Sequence, residues 1–131
     1  MILFAVFIGG AVGSAARYTV SRSIQDRFAG SFPCGTLAVN VLGSFLLGAA
    51  LPILGTSAVP ATLQAFLTVG LFGAFTTFST FAHEAFALAA AGQGGRGVIL
   101  YVTASLLLGV AAFAAGAFIV GAALGLPMMV G

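Results

Sequence analysis

A run of hydroxyl side chains and aromatic rings around residue 76 is the feature of this sequence most suited to contacting an ion. Residues 73–81 read Gly-Ala-Phe-Thr-Thr-Phe-Ser-Thr-Phe, where a helix in lipid would favour leucine. This composition weakens helix continuity, and a break inside a bilayer exposes backbone carbonyls that protein, water or an ion must satisfy. In the alternative, the helix is continuous and its hydroxyls donate to carbonyls of the preceding turn. The residues alone leave both alternatives open.

A second polar stripe is centred on Asn40. Thr36, Asn40 and Ser44 recur at a spacing of four, so they share one face of a helix. An amide inside a membrane needs partners, and for a lone asparagine interhelical hydrogen bonding is favoured over an ion site. Tyr101 and Ser105 are also one helical turn apart. Together the two stripes could line a path through the membrane.

Two aromatic residues, Phe78 and Phe81, follow the suspected break at a spacing of three. This spacing places both rings on one side of a helix. Rings at helical spacing are usually ordinary packing residues. Their edges carry partial positive charge, however, so beside an amide and several hydroxyls they could also contact an anion.

Two charged residues are candidates at the ends of the membrane spans. Glu84 lies eight positions beyond Thr76, which is about 12 Å along a helix and therefore near the edge of the hydrocarbon. It is either an interfacial carboxylate or a functional one, since acids within membranes are functional candidates by default. Arg17, near the end of the first span, either reaches to the interface or gathers anions at a vestibule.

The composition requires lipid as the solvent for the elements that carry these residues. The chain has 131 residues, of which 61% are hydrophobic and 5% charged, and a water-soluble fold could not cover its surface with so few charges. Crossing about 30 Å of hydrocarbon takes roughly 20 apolar residues. Residues 1–131 are therefore predicted to form a single all-α transmembrane domain. Its four helices are predicted at about 2–21, 34–54, 61–91 (with the break near 73–77) and 97–126.

The few charges exclude some partners and bear on orientation. Four arginines against two acids are too few for a nucleic-acid footprint. The predicted polar turn at 22–33 holds Arg22 and Arg27, and the predicted loop at 92–96 holds Arg96. Both connections lie on the same side of the membrane, so the positive-inside rule favours a cytoplasmic position for them, with both termini outside.

Small residues at a spacing of four predict close helix contacts at Gly9 and Gly13 and at Gly121 and Gly125. The alternative is that membrane helices are generally rich in glycine. Either explanation is compatible with the sequence.

The motifs together resemble the CrcB/Fluc family of fluoride channels. The resemblance covers residues 9–18 in the first helix, 35–40 in the second, and 73–81 with Glu84 in the third. The third segment is the most specific, because Thr-Thr-Phe-Ser-Thr-Phe is followed three residues later by glutamate in a four-span chain.

The resemblance implies an assembly as well as a fold. Four-helix subunits would form antiparallel, dual-topology dimers, either as a homodimer or as a heterodimer with a related subunit, in the inner membrane of the cell. A structural sodium ion would lie at the dimer centre, held by the backbone carbonyls of Gly73 and Thr76. No organic cofactor is implied.

The resemblance also implies a function and a pathway. The chain would be a passive channel that exports fluoride from the cytoplasm and so reduces fluoride toxicity, without catalysis. Some relatives have a further serine where this chain has Gly109, which leaves part of the implied polar track in doubt. The implied pathway residues are Asn40, Phe78 and Phe81, with a polar track of Thr36, Tyr101, Ser105 and Glu84.

Two other functions remain to be weighed against a channel. A small multidrug or proton-coupled transporter needs a buried exchangeable acid, but the first helix has no carboxylate and Glu84 is off centre. A purely structural membrane subunit would be held together by small-residue packing and would carry no ion flux.

Overall fold

The computed structural model describes residues 1–28, 30–56, 58–91 and 94–125, and these residues form helices and no strand. Four stretches are long and apolar enough to cross a membrane, which confirms the predicted all-α architecture. The elements in chain order are α1 (Ile2–Arg27), α2 (Cys34–Leu54), α3 (Ala61–Ala65), a π-helical segment (Phe66–Phe72), α4 (Gly73–Phe75), α5 (Phe78–Ala90) and α6 (Gly94–Ala123). The elements from α3 to α5 make up the third span, Ala61–Ala90.

The predicted end of the first helix near residue 21 is wrong. α1 continues to Arg27, so most of the predicted polar turn is helical. Arg22 Nε lies 3.7 Å from Asp26 Oδ2 across one turn, and oppositely charged pairs at this spacing support a helix in water. Hydropathy identifies only the part of a helix that lies in hydrocarbon, and α1 extends beyond that part.

The predicted bounds of the last helix also need correction. α6 begins at Gly94, so Arg96 lies in its first turn and not in a loop. A glycine in a helix costs only about 1 kcal/mol relative to alanine, which the rest of a long helix can offset. The helix ends at Ala123, and Gly125 has a φ of +63°, the left-handed conformation that commonly terminates helices. Residue 126, the predicted end, lies outside the described residues.

The first predicted glycine pair lies at a close helix contact. A methyl group added at Gly9 would lie 2.5 Å from Phe66 O, and one added at Gly13 would overlap Leu71 O. The backbone of α1 therefore packs directly against the π segment. This contact confirms the small-residue prediction for Gly9 and Gly13.

The second predicted pair does not make such a contact. A methyl group at Gly121 or at Gly125 would meet no atom within 4 Å among the described residues. The close approach of α2 and α6 occurs instead at Gly48 and Gly116, where added methyl groups would overlap backbone oxygens. These two glycines lie on different helices, so no spacing within one segment could identify them.

The glycine contact between α2 and α6 gives a test of the packing. Gly116→Ala should lower the free energy of unfolding by about 1–3 kcal/mol, because the new methyl group overlaps Phe45 O. Gly121→Ala, the matched control on the same helix, should be neutral or stabilising. Thermal unfolding of the purified variants in detergent would measure both, and equal losses would contradict this packing.

Candidate ion pathway

The third span contains two residues with extended backbone. Thr76 has φ −81° and ψ 162°, and Thr77 has φ −150° and ψ 122°, so they separate α4 from α5. The Thr76 hydroxyl donates back to Phe72 O at 3.1 Å, as the continuous-helix alternative expected. The Thr77 hydroxyl instead begins the next helix, because it accepts a hydrogen bond from Thr80 N at 3.2 Å.

The side chain of Asn40 pairs with the backbone of Thr77. Asn40 Nδ2 donates to Thr77 O at 3.0 Å, and Asn40 Oδ1 accepts from Thr77 N at 2.8 Å. One amide thus pairs with both backbone groups of Thr77, the residue at which the third span is interrupted. Leaving these groups without partners in an apolar environment would be costly. The interhelical hydrogen bonding considered for Asn40 is therefore present, and its partner is the main chain of the third span.

A cavity of about 330 Å³ opens beside this pairing. Ser105 Oγ is buried and has no hydrogen-bond partner among the described residues, which leaves its hydroxyl available to a ligand. None of the residues lining the cavity is charged. The predicted site residues that line it are Asn40, Gly73, Thr76, Phe78, Phe81 and Ser105.

Thr68 also lines this cavity and was not predicted. Its hydroxyl donates back to Gln64 O at 2.8 Å, so the hydroxyl is satisfied within its own span. A signal was present in the sequence, because Thr68, Phe72 and Thr76 recur at a spacing of four. These three residues form part of the wall that the third span contributes.

The remaining polar residues form a separate cluster around Glu84. Thr36 Oγ1 donates to Glu84 Oε1 at 2.8 Å, and Tyr101 OH donates to Glu84 Oε2 at 2.7 Å. Thr36 is 2% exposed and Tyr101 is fully buried. Hydroxyl groups from α2 and α6 therefore hold one carboxylate oxygen each, and charge-assisted hydrogen bonds of this kind are the stronger ones. The carboxylate is fixed between three helices.

Aromatic rings connect the cavity with the Glu84 cluster. The ring centroids of Phe78 and Phe81 are 5.9 Å apart, and those of Phe81 and Tyr101 are 5.2 Å apart. Phe32 extends the series, with its ring 5.7 Å from that of Tyr101 and at 85° to it, an edge-on contact that aromatic quadrupoles favour. Phe32 lies in the connection before α2, where no periodicity could identify it.

Arg17 lies apart from the Asn40 cavity. It lines a second cavity of about 540 Å³ together with Arg22, Asp26 and Thr36. Thr77 lines both cavities, so the extended segment forms part of the wall between them. The described residues contain no group of three His, Cys, Asp or Glu side chains that could hold a metal.

Comparison with known proteins decides the family. The family described as CrcB-like protein, Camphor Resistance (CrcB) matches residues 4–117, a range that includes the cavity, the Glu84 cluster and Arg17. The chain belongs to the CrcB-like family. This confirms the resemblance drawn from the sequence motifs, and with the four apolar helices it makes the chain a multi-pass membrane protein.

Several CrcB-like relatives carry the name fluoride-specific ion channel FluC. The one from Acidobacterium capsulatum is 48% identical over 109 residues, which are 82% of this chain and 86% of the relative. The one from Thermus thermophilus is 42% identical over 104 residues, 79% and 82% of the two chains. The one from Idiomarina loihiensis is 47% identical over 90 residues, 69% and 70%. These relatives are named as channels and not as enzymes, in agreement with the prediction of no catalysis.

The Asn40 pairing predicts a large effect of removing the amide. Asn40→Ala leaves Thr77 N without its acceptor and removes the side-chain donor to Thr77 O, so the free energy of unfolding should fall by about 2 kcal/mol or more. Ser44→Ala, one turn along the same helix face and lining the same cavity, is the matched control and should change it by less than about 1 kcal/mol. Thermal unfolding would measure both variants. Similar unfolding temperatures for the two would show that the pairing does not stabilise the third span.

Proposed function

We propose that this protein is a fluoride-selective channel that passively exports fluoride from the cytoplasm across the inner membrane and thereby reduces fluoride toxicity. The observation that carries the proposal is the cavity in which the Asn40 amide and two aromatic rings lie beside Ser105, whose hydroxyl has no hydrogen-bond partner within the described part of the chain. The names of the CrcB-like relatives support fluoride as the ion.

The chemistry of the cavity suits a small, strongly hydrated anion. Asn40 Nδ2 carries two hydrogens, of which Thr77 O takes one, so the second can donate to fluoride. The Ser105 hydroxyl and the edges of the Phe78 and Phe81 rings add further sites of partial positive charge. Conduction requires an ion to be held firmly enough to enter and loosely enough to leave. Neutral donors meet that requirement better than a buried arginine or lysine, which would hold fluoride too tightly.

The proposed assembly is an antiparallel, dual-topology dimer with a sodium ion at its centre, either a homodimer or a heterodimer with a related subunit. The proposed ligands of the sodium ion are the backbone oxygens Gly73 O and Thr76 O. In a continuous helix, Gly73 O would accept from Thr77 N, but Thr77 N donates to Asn40. Likewise Thr76 O would accept from Thr80 N, but Thr80 N donates to the Thr77 hydroxyl. Both carbonyls therefore lose their helical donors, and carbonyl oxygen is a suitable ligand for a hard cation.

A twofold axis would complete this site. Two copies related by such an axis would offer four carbonyls to one ion. The ion would be structural, since its charge would satisfy carbonyls that hydrocarbon cannot. Arg22, Arg27 and Arg96 all lie toward one end of the bundle, so the charge bias opposes dual insertion. A heterodimer is compatible with that bias, because a related subunit takes the opposite orientation. A homodimer requires this same chain to insert into the membrane in both orientations.

A proton-coupled carrier is less compatible with the observed contacts. Such a carrier needs an acid that exchanges protons with both sides of the membrane. Both oxygens of Glu84 accept hydrogen bonds from buried hydroxyls, which favours a fixed carboxylate. A fluoride flux that depends on a proton gradient would revive this alternative.

Fluoride efflux from liposomes containing the purified protein tests the proposed function. A fluoride electrode should record efflux, and a chloride electrode should record far less. Phe81→Ile removes a ring from the cavity and should slow fluoride efflux by about tenfold, the change that about 1.4 kcal/mol in a barrier produces.

Phe118→Ile is the matched control, because Phe118 lies on the exposed surface of α6. It should conduct as the unaltered protein does. Absence of efflux selective for fluoride from the unaltered protein would overturn the proposal, and equal efflux from the two variants would exclude Phe81 from the pathway.

A further inference from the structure

Gln25, in the last turn of α1, joins three points of the connection to α2. Its Nε2 donates to Gly30 O at 3.2 Å and to Phe32 O at 3.1 Å. Its Oε1 accepts from Gly35 N at 3.1 Å. Both hydrogens of the amide and its oxygen are thus used: the hydrogens bond within the predicted polar turn at 22–33, and the oxygen bonds to the first turn of α2.

The bond to Gly35 stabilises the beginning of α2. Backbone N–H groups in the first turn of a helix have no acceptor within the helix. The residue before α2 is Pro33, and no side chain at that position caps the helix. The Gln25 oxygen supplies an acceptor from the neighbouring helix instead. A methyl group at Gly35 would overlap Ser21 O, so the start of α2 is also pressed closely against α1.

Both of the residues that donate to Glu84 are connected to Gln25. Gly35 directly precedes Thr36, which donates to Glu84 Oε1. Phe32 packs edge-on against Tyr101, which donates to Glu84 Oε2. A change in the geometry of this connection would therefore disturb both hydroxyl contacts of the carboxylate.

Gln25 also lies between two cavities. With Ser21, it lines both the cavity of about 540 Å³ that contains Thr36 and another of about 330 Å³ that contains Glu84. The Thr36 to Glu84 hydrogen bond spans the same boundary from the α2 side. The Gln25 side chain is half-buried, and its amide groups are all hydrogen-bonded to the backbone. These contacts favour a structural role at the boundary between the two cavities over direct contact with an ion.

We propose that Gln25 is a positioning residue for conduction, which acts through the Thr36, Glu84 and Tyr101 cluster without contacting the ion. This inference rests on the proposed channel function. The amide fixes the connection, the connection fixes the Thr36 hydroxyl and the Tyr101 ring, and these two groups fix the carboxylate.

Gln25→Met tests the inference, because methionine has a similar length and no hydrogen-bonding amide. Fluoride efflux from liposomes should slow by about tenfold. This is the change expected if the barrier to conduction rises by about the net free energy of one hydrogen bond. Gln64→Met is the matched control, since among the described residues the Gln64 amide makes a single hydrogen bond, to Val59 O at 3.0 Å in the connection between α2 and α3. It should retain efflux within about twofold.

A double-mutant cycle separates positioning from general destabilisation. In a Tyr101→Phe background, one hydroxyl contact of Glu84 is already absent, so Gln25→Met should slow fluoride efflux by much less than tenfold. A residue that only holds the fold together would slow efflux equally in both backgrounds, and that result would overturn the inference. If Gln25→Met does not fold, Gln25→Glu, which keeps an acceptor for Gly35 N, takes its place in the same cycle.

The outcomes distinguish the two proposals. Normal efflux from the unaltered protein, Gln64→Met and Gln25→Met alike would overturn the role of Gln25 and leave the channel function in place. Absence of fluoride efflux from the unaltered protein would overturn both. Slow efflux from Gln25→Met alone, with the reduced effect in the Tyr101→Phe background, supports the inference.

Discussion

The pairing of the Asn40 side chain with the backbone of Thr77 is the interaction on which the rest of the site depends. Hydrocarbon offers no water to an interrupted helix, so both backbone groups of an extended residue need partners from the protein. One amide supplies both, at 3.0 and 2.8 Å. Because Thr77 N is committed to Asn40, Gly73 O is left without its helical donor. The same contact thus stabilises the interruption and frees an oxygen for the proposed sodium site.

The side chains of α2 organise the site from this point. Thr36 lies one turn before Asn40 on the same face, so the helix that pairs with the extended segment also holds Glu84. α5 begins directly after that segment and carries Phe78, Phe81 and Glu84 in succession. The neutral donors and rings of the cavity therefore precede the fixed carboxylate along one helix. Close packing at Gly48 and Gly116 keeps α2 against α6, which supplies Tyr101 and Ser105.

Much of the fold follows from residues whose effect is local. Hydropathy is sufficient to predict four membrane spans, and a spacing of four residues is sufficient to predict that Thr36 and Asn40 share one face of a helix. Tertiary partners are different, because no periodicity says that Asn40 meets Thr77 or that Tyr101 meets Glu84. Phe32 and Gln25 lie near a connection, where hydropathy carries no signal. The helical extension to Arg27 was missed because it lies beyond hydrocarbon and depends on charge pairing and hydrogen bonds.

The most direct test of the account is the effect of sodium on unfolding. If the freed carbonyls bind a structural cation, the temperature of thermal unfolding should rise with the sodium concentration, because the ion binds only the folded state. Potassium at equal concentration should raise it much less, because a site of fixed size favours one cation. Asn40→Ala should lose the difference between the two salts, since without the amide nothing holds the extended segment that keeps the Gly73 and Thr76 carbonyls free. Identical unfolding temperatures of the unaltered protein in sodium and potassium would contradict the account.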